Sequence, residues 1–535
     1  MMTALAHLRA FGSNGFVAPV AALDFDFLAG EIDPRLTCVR DSLASCIGAT
    51  GLMTFSPHNL CINSEQISFW SRENVSAFGA GSITDGVQAP DGAMTGDVIH
   101  DGAASGRHIV YSYRAIPGPG VYLYSVCLKD LGRRYAQVYS VSIGNAAGAA
   151  VYVDLELGVV TQTRSVSGNA QVLSSGISSL GDGWWRVWVC FPAPASVSGL
   201  YVVVGLTDRP TESSGPMFAG SPSYAGSGQT LGVWGAQLEL VGDEREPRTY
   251  VRSTGAPTHG PRIDFDPVSL APRGLLIEEA RTNLVLNSQT PVDQTVPVAA
   301  KSYTLSFFGS GSVALSGAAS AQVSGLGDYP ARQAFTFTPA AGALSLAFSG
   351  DVRFVQCEQG AFATSWIPTW GGAQARAADD IGLASSILPD LLSLTAGSFL
   401  VEASRFTTTQ RGDVMHLGRA ANPALAELDL LGAEDGALVI AMSGVSTAFA
   451  PAFPSVFASS AVVRVAVAYG GGEGAVAVNG SAPASGSGVL DLSQADAMKI
   501  GSNAGAARHY LNGHVRRIRH YRELLSDRAL RKLST

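Results

Sequence analysis

The sequence between residues 120 and 360 alternates apolar and polar positions with a period of two. β-Branched and aromatic residues fill many of these positions, and Gly, Pro or Asp ends most runs. The clearest runs are residues 120–130, 133–144, 149–158, 184–191, 199–206, 301–317, 332–339 and 343–359. Successive side chains of a β-strand point to opposite faces, so these runs predict strands joined by short turns. Closely spaced strands of this kind are typical of an all-β sandwich.

The alternation continues after residue 376, but the pattern of runs and turns is different. Short apolar runs are separated there by Gly-rich turns, such as the one at 470–474. The segment 510–533 predicts a strand followed by a short helix. Ser526 is its expected N-cap, because a Ser hydroxyl accepts a free N–H of the first helical turn. The residues after 376 therefore predict a further sandwich.

One phrase, Asn-Leu-x-x-Asn-Ser, occurs at 59–64 and again at 283–288. Each copy is followed later by Gln-x-Glu and then by an aromatic and a β-branched residue. These are Gln237, Glu239 and Tyr250-Val251 in the first copy, and Gln356, Glu358 and Trp366-Ile367 in the second. Two segments of different length that share both ends predict modules whose first and last strands lie close together.

The chain has 535 residues, which is too many for one ordinary hydrophobic core. We predict three jelly-roll-like β-sandwich domains in series behind a short N-terminal segment. The predicted boundaries are 1–55 for the N-terminal segment, 56–258 for the first sandwich, 259–378 for a second, shorter sandwich of related frame, and 379–535 for the third.

Composition argues against several classes of function. The net charge is −8, whereas nucleic-acid binding needs clustered Lys and Arg, so we expect no nucleic-acid partner. The one basic cluster, 514–522, is interrupted by apolar residues and is interpreted as a solvated strand face. No apolar run reaches the ~18 residues that span a bilayer, so we expect no membrane insertion. The N-terminus also lacks the pattern of a secretion signal.

The six cysteines are scattered and form no C-x-x-C pair. This spacing indicates neither a zinc site nor a redox pair. Sparse cysteines in a large chain are typical of reduced, buried thiols in a protein made in a cytoplasm.

Several phrases resemble proteins of tailed bacteriophages. Residues 276–288, 303–317 and 357–369 resemble the carbohydrate-binding-like modules of phage tail fibre and minor structural proteins. Residues 124–189 resemble a larger jelly-roll module of the same proteins. Residues 23–44 look like the opening segment that often precedes such modules. From 465 to 533 the chain is similar to a concanavalin A-like (laminin G-like) sandwich.

This resemblance implies a virion structural protein, namely a tail fibre, tail-tip or head-fibre component. It implies a non-enzymatic adhesin for glycans of the host surface, with residues 1–55 docking to the particle. The implied partners are host cell-surface polysaccharide and other virion structural proteins. A homo-oligomer is also implied, and trimers are common among similar proteins. The implied location is the virion, assembled in the cytoplasm of the bacterial host.

Two other functions stay open at this point. One is a tail polysaccharide depolymerase or glycoside hydrolase, and the other is a purely structural virion or decoration protein. The sequence holds no G-x-S-x-G, no H-E-x-x-H and no P-loop. The acidic pairs at 278–279 and 379–380 are adjacent, so their side chains point opposite ways on a strand. We therefore predict no enzyme, although carboxylates from distant strands can converge.

Sugar binding needs an aromatic ring for the apolar face of a pyranose and polar groups for its hydroxyls. Alternation places Trp184, Arg186 and Trp188 on one face of a strand and Trp185, Val187 and Val189 on the other. We interpret the second set as core and the first as a glycan-binding platform. The alternative is that Trp184 and Trp188 are core residues or contact a neighbouring domain.

Tyr135, Gln137 and Tyr139 alternate in the same way and are a second candidate for glycan binding, with the same alternative. Trp366 and Trp370 lie in a closing strand and its turn, where we expect packing against the following domain. Clustered oxygens can bind calcium, and 427–435 supplies Glu427, Asp429, Glu434 and Asp435, but ordinary turn charges explain these residues adequately. We expect no metal and no cofactor.

Overall fold

The structure is a computed structural model. It describes residues 19–78, 86–165, 171–212, 221–383, 385–392, 395–407, 410–419, 422–443, 448–449, 451–457, 461–487, 492, 495–503 and 509–535. Nearly all of the regular structure is β-strand arranged in sandwich-like sheets, so the predicted all-β fold is confirmed. The first 18 residues of the predicted N-terminal segment lie outside the described residues.

Contacts group the chain into two units, each made of non-contiguous pieces. Within the described residues, the central unit comprises 39–262 and 281–377, and the C-terminal unit comprises 19–38, 263–280 and 378–535. This grouping does not follow the linear boundaries at 55, 258 and 378. Those boundaries stay a prediction about which parts fold alone, and limited proteolysis would test it.

The first sandwich of the central unit consists of two six-stranded antiparallel sheets. The first, here the tyrosine sheet, contains in spatial order Val159–Ser165, Gly148–Asp154, Tyr135–Ser142, Gly199–Thr207, His108–Ala115 and Ser71–Glu73. The second, here the tryptophan sheet, contains Ser174–Gly181, Trp184–Ala193, Gly120–Asp130, Thr230–Val241, Asp97–Asp101 and Val75–Phe78. Their inner faces bury one core, which includes Tyr122, Val138, Val151, Val187 and Leu238.

The second sandwich of the central unit is smaller. Its four-stranded sheet contains Gln294–Val298, Gly342–Ser349, Ser312–Gly317 and Ala321–Ser324 in spatial order, and its three-stranded sheet contains Gln333–Phe337, Tyr303–Phe308 and Arg353–Gln359. A separate core lies between them, with Leu305, Phe307 and Leu344 fully buried. Two cores in one unit agree with the two modules that the repeated phrase predicted.

Short two-stranded pairs complete the central unit. They are Ser45–Ile47 with Met53–Phe55, His58–Asn59 with Thr258–His259, Ser105–Gly106 with Tyr224–Ala225, and Arg281–Asn283 with Gln374–Arg376. In the second and fourth pairs, a strand that carries the repeated phrase meets a segment that follows the aromatic and β-branched pair of its own module.

The C-terminal unit is a sandwich of two eight-stranded sheets around one core. The first sheet orders Arg262–Phe265, Pro272–Ile277, Gly513–Tyr521, Ala396–Arg405, Val463–Gly470, Glu473–Val478 and Ala484–Ser487, with Leu23–Asp26 also paired to Gly513–Tyr521. The second orders Leu36–Val39, Asp380–Leu383, Ala497–Ile500, Gly412–Arg419, Asn422–Gly432, Leu438–Ser443 and Ala448–Phe449, with Ala452–Phe453 paired to Leu438–Ser443.

The strand Leu23–Asp26 belongs to this unit because Leu23 and Phe25 are buried in its core, and its charged residues also complement those of a distant strand. Asp24 lies opposite Arg519 and Asp26 opposite Arg517. The Arg519 Nε atom is 2.9 Å from Asp24 Oδ2, and Arg517 pairs with Asp26. Opposite charges across a strand pair stabilise it by a few tenths of a kcal/mol to ~1 kcal/mol. The basic cluster at 514–522 is therefore partly neutralised, which corrects its interpretation as a solvated strand face.

Helical structure is limited to short segments. The 3-10 turns are Phe27–Ala29, Ile67–Phe69, Ile143–Asn145 and Ser385–Ile387, and the α-helices are Leu388–Leu391 and Asp527–Leu533. The Ser526 hydroxyl accepts the Ala529 N–H, which confirms the predicted N-cap. Among the described helices, none is long and apolar enough to cross a membrane.

Candidate functional site

The Asn of the repeated phrase joins the opening and closing segments of its module. In the second module, Asn283 Nδ2 donates to the carbonyl oxygens of Val355 and Ile367, both at 2.9 Å. Its Oδ1 accepts the N–H groups of Val285 and Cys357, both at 3.1 Å. Asn283 is fully buried, so one side chain satisfies four backbone groups that water does not reach.

The first module repeats these four hydrogen bonds at equivalent positions. Asn59 Nδ2 donates to Ala236 O at 2.9 Å and to Val251 O at 2.8 Å. Asn59 Oδ1 accepts from Cys61 N at 2.9 Å and from Leu238 N at 3.2 Å. The repeated phrase therefore marks a structural clamp, and the prediction that the ends of each module meet is confirmed.

The Gln of Gln-x-Glu holds the same closing segment from the adjacent strand. Gln237 Oε1 accepts the N–H of Val251 at 2.7 Å, and Gln356 Oε1 accepts that of Ile367 at 2.6 Å. Each β-branched residue is thus fixed at its N–H by the Gln and at its carbonyl by the Asn. This geometry explains why both modules carry the same residue types at these points, although the Gln and the β-branched residue are 14 positions apart in the first module and 11 in the second.

This closing segment covers the outer face of the tryptophan sheet, where the glycan platform was predicted. Arg186 Nη1 donates to Arg248 O at 2.7 Å, and Arg186 Nη2 donates to Ser125 Oγ at 3.1 Å. The guanidinium of Arg248 is 3.1 Å from a carboxylate oxygen of Glu239. Arg186 therefore ties the sheet to the segment that closes the module.

The two tryptophans on either side of Arg186 are not an open platform. Trp184 is 1% exposed, and its indole N–H donates to Gln88 O at 2.9 Å. Trp188 is half-buried, and its ring lies so close over Gly176 that a Cβ there would approach it to 2.1 Å. Alternation predicted the correct faces. Val187 points into the core between the sheets, so Trp184 and Trp188 point to the outer face. For Trp184 the platform interpretation is wrong and the alternative, a buried residue, is confirmed, because alternation does not show what covers an outer face.

The second predicted set lies on the outer face of the tyrosine sheet. Gln137 is fully buried and donates to the Tyr152 hydroxyl at 2.7 Å. Tyr139 is fully buried beside the Ser221 hydroxyl, and burial raises its pKa to about 12. Tyr135 is half-buried, with the Arg134 guanidinium 5.2 Å from its ring centre. The prediction that Gln137 and Tyr139 are accessible to a glycan is therefore corrected, because both side chains are buried.

The structure does not bring the two predicted sets together. One set lies on the tryptophan sheet and the other on the tyrosine sheet, and both are on outer faces. The outer faces of two packed sheets point away from each other. Glycan binding by these six residues stays a prediction, and only Trp188, Arg186 and Tyr135 retain partial exposure.

A different group of aromatic residues lines a cavity of about 280 Å³ in the central unit. We call it the aromatic cleft and define it by Phe55, Phe354, Trp366 and Trp370 as walls, with Asp243 and Gln289 at its rim. Phe354 and Trp366 meet edge to face, with ring centres 5.0 Å apart. Trp370 and Phe354 are half-buried, whereas Gln289 and Asp243 are exposed.

Two local features fix the walls of the aromatic cleft. Gly118 allows the Trp370 ring to lie on its backbone, since a Cβ at Gly118 would stand 2.2 Å from that ring. Phe354 has a positive φ of 51°, a costly conformation for a non-glycine residue that is found often at functional sites. Among the described residues, the buried indole N–H of Trp366 has no hydrogen-bond acceptor.

The sequence prediction for Trp366 and Trp370 is corrected by this arrangement. They were expected to pack against the following domain, whereas Trp370 packs on the first sandwich of the central unit. The available sequence signal was the phrase Trp-Ile-Pro-Thr-Trp at 366–370. It places two large aromatics close together next to a proline, but it does not show which surface faces them.

One pair of carboxylates converges in the C-terminal unit. Asp413 and Asp429 are buried beside Arg411, His416 and His509, whose nitrogen atoms lie 3.7 to 3.8 Å from the carboxylate oxygens. Burial, and then the charge of Asp429, raises the pKa of Asp413 to about 8. Glycoside hydrolysis needs two carboxylates that flank the substrate. A polysaccharide does not reach carboxylates buried to this extent.

The residues considered for calcium do not converge. Asp429 is buried, whereas Glu434 and Asp435 lie in an exposed turn. The side chain of Glu427 lies outside the described residues. Within the described ranges, no three of His, Cys, Asp and Glu form a group that could hold a metal ion.

Comparison with known proteins gives no family. No family model and no curated protein matches the chain. Among solved structures, the CBM40 module of the Ruminococcus gnavus IT-sialidase, bound to α2,3-sialyllactose, is similar over 27% of this chain and 84% of that chain, with 16% identity and a TM-score of 0.25. Mouse laminin α1 domains LG4–5 are similar over 83% of this chain and 92% of that chain, with 9% identity and a TM-score of 0.22.

The NanB sialidase of Streptococcus pneumoniae is similar over 28% of this chain and 25% of that chain, with 14% identity and a TM-score of 0.25. These structures include a carbohydrate-binding module and laminin G domains, two of the classes that the sequence resembles. None of the three comes from a virus. The identities and TM-scores are too low to transfer a ligand to this chain.

Proposed function

We propose that this protein is a non-enzymatic adhesin that binds surface polysaccharide through the aromatic cleft. The observation that supports the proposal is the composition of the cleft. Three half-buried aromatic walls and the buried Trp366 stand next to an exposed amide and an exposed carboxylate. A pyranose offers an apolar face and a rim of hydroxyls, and ligand sites typically combine apolar walls with a few polar groups.

Each wall of the cleft has a specific part in this binding. The Trp370 ring, held flat by Gly118, packs against the apolar face of a sugar. The Trp366 N–H is a buried donor, and a sugar hydroxyl gives it an acceptor. Gln289 and Asp243 at the rim accept further hydroxyl protons, and the Gln289 amide also donates.

We further propose that the adhesin is a structural component of a bacteriophage virion, as a tail fibre, tail-tip or head-fibre protein. The support is the sequence resemblance at 276–288, 357–369 and 465–533. In this proposal the glycan belongs to the bacterial host, and the protein assembles with other virion proteins and with copies of itself. Antibodies against the protein should label intact particles if it is a virion component.

The test uses the purified full chain, candidate host polysaccharides and two measurements, retention and polysaccharide chain length. Retention with unchanged chain length supports an adhesin. Shortening of the polysaccharide by catalytic amounts of protein would instead support a depolymerase. Absence of both effects would favour a purely structural protein.

Variants assign the binding to the cleft. Trp370→Ala and Gln289→Ala should each weaken retention, by at least about tenfold for Trp370→Ala, which corresponds to ~1.4 kcal/mol. Gln289 is exposed, so its variant tests the rim without disturbing the core. Phe69→Ala removes an aromatic that is 63% exposed and lies outside the cleft, and it should leave retention unchanged. Retention that survives Trp370→Ala would refute the cleft as the binding site.

A further inference from the structure

The C-terminal unit contains a second cavity, of about 450 Å³, on the outer face of its first sheet. Its lining includes Arg273 at the start of the strand Pro272–Ile277, Ser404 and Phe406 at the end of the strand Ala396–Arg405, and His514 and Arg516 on the strand Gly513–Tyr521. The cavity lies within the size range of small-ligand sites. Here we call it the arginine cavity.

A β-bulge places Arg516 in the arginine cavity. The strand Ala396–Arg405 pairs Glu402 with Arg517 but Ala403 with Val515, so Arg516 is the extra residue. Bulges of this kind redirect a side chain and are frequent next to functional sites. The neighbouring strand accommodates the bulge at Gly274, where a Cβ would come within 2.5 Å of Val515 O.

The two carboxylates near the arginine cavity are already engaged by protein groups. Asp266 accepts the N–H groups of Val268 and Ser269 and is 2.8 Å from the Arg273 guanidinium. Asp264 Oδ2 is 2.9 Å from His514 Nε2.

Arg516 has no such carboxylate. Among the described residues it forms no ion pair, and its Nε is buried without a hydrogen-bond partner. An arginine held in this way is suited to a planar anion, because its fork of N–H donors matches a carboxylate.

An apolar surface lies beside this cation. Phe406 is 37% exposed, and its ring meets His514 edge to face with centres 5.1 Å apart. The hydroxyl-bearing residues Ser404 and Ser269 also line the cavity. An exposed ring, hydroxyl groups and an unpaired guanidinium together match a sugar that carries a carboxylate.

We propose that the arginine cavity is a second binding site, specific for an acidic saccharide whose carboxylate pairs with Arg516. The apolar face of the sugar packs on Phe406, and its hydroxyls bond to Ser404 and Ser269. This site lies in a different unit from the aromatic cleft and is argued independently of the function proposed above.

The experiment measures binding of the full chain to oligosaccharides of glucuronate, galacturonate and N-acetylneuraminate. Each is compared with the same oligosaccharide after its carboxyl groups are reduced to alcohols. At least one acid should bind roughly tenfold more tightly than its reduced form, as expected for a charge-assisted hydrogen bond. Equal dissociation constants for every pair, or binding to none of the acids, would overturn the proposal.

Variants locate the effect. Arg516→Gln should abolish the preference for the acid, Arg516→Lys should retain part of it, and Phe406→Ala should weaken both forms. Arg528→Gln, at an exposed arginine of the helix Asp527–Leu533, is the matched control and should change nothing. Trp370→Ala should leave the acid preference intact, which separates this site from the aromatic cleft.

Two results would overturn the assignment even if acids bind. One is an acid preference that persists in Arg516→Gln, since the carboxylate would then bind elsewhere. The other is equally tight, Arg516-dependent binding of a sulfated neutral oligosaccharide, since the site would then select anions in general. Circular dichroism of each variant checks that the fold is retained.

Discussion

Replacing Asn283 by Ala tests the structural reason for the repeated phrase. The change removes four hydrogen bonds between a buried side chain and the backbone groups of Val285, Val355, Cys357 and Ile367. At a net value of about 1 kcal/mol for each bond, the loss is about 4 kcal/mol. Domains are typically stable by roughly 5–15 kcal/mol, so this loss is large.

The assay combines urea unfolding with hydrogen exchange. Unfolding gives the free energy of the transition, and exchange in the peptide 364–370 shows whether the closing segment is released. Because the chain has several cores, the local exchange rates are the more direct measure. We expect the Ala variant to speed exchange in this peptide by a factor of about a hundred or more.

Two further variants control this prediction. Gln322 is exposed and bonds only to the Ser312 hydroxyl among the described residues, so Gln322→Ala should change stability by less than about 0.5 kcal/mol. Asn59→Ala removes the same four bonds in the first module and should have a similar effect there. If Asn283→Ala proved as mild as Gln322→Ala, the phrase would not act as a clamp.

Three other changes test separate parts of the structure. Burial and the charge of Asp429 raise the pKa of Asp413 to about 8, so the folded state holds a proton that the unfolded state releases near pH 4. Stability from this group is therefore lost as pH rises from about 4 to 8. Asp413→Asn should raise the melting temperature more at pH 8 than at pH 5, and an equal change at both would contradict this. Gly118→Ala places a Cβ where the Trp370 ring lies, so it should displace the ring and weaken retention on polysaccharide. Unchanged retention would count against the proposed geometry of the cleft. Trp184→Ala should destabilise the central unit by ~3–5 kcal/mol in urea unfolding because its ring is buried, and a variant of normal stability would show that Trp184 packs loosely.

Alternation determined the main strands because it is a local consequence of strand geometry. The run at 184–191 predicted the face of Trp188 correctly, and Val187 fills the core as expected. It did not show that the segment around Arg248 covers the other face. The residues that cover this face lie about 60 positions further along the chain. Alternation within the strand carries no information about them.

The repeat was also visible in the sequence, since Asn59 and Asn283 stand at the same point of the same phrase. Its physical meaning required the structure. An Asn side chain has four hydrogen-bonding sites, but the partners of those sites depend on which strands are adjacent. The all-β class and the paired ends of two modules thus followed from local rules.

The positions of the candidate binding side chains became clear only from the tertiary structure. Trp370 meets Gly118 across some 250 residues of chain, and Leu23–Asp26 joins a strand that begins at Gly513. The placement of Arg516 in the arginine cavity depends on a bulge that no periodicity reveals. Local sequence was enough to predict the strands and their inner faces, because each strand buries the side that its own residues make apolar. It did not determine the outer surfaces, because these depend on long-range contacts whose partners are chosen only when the whole chain packs.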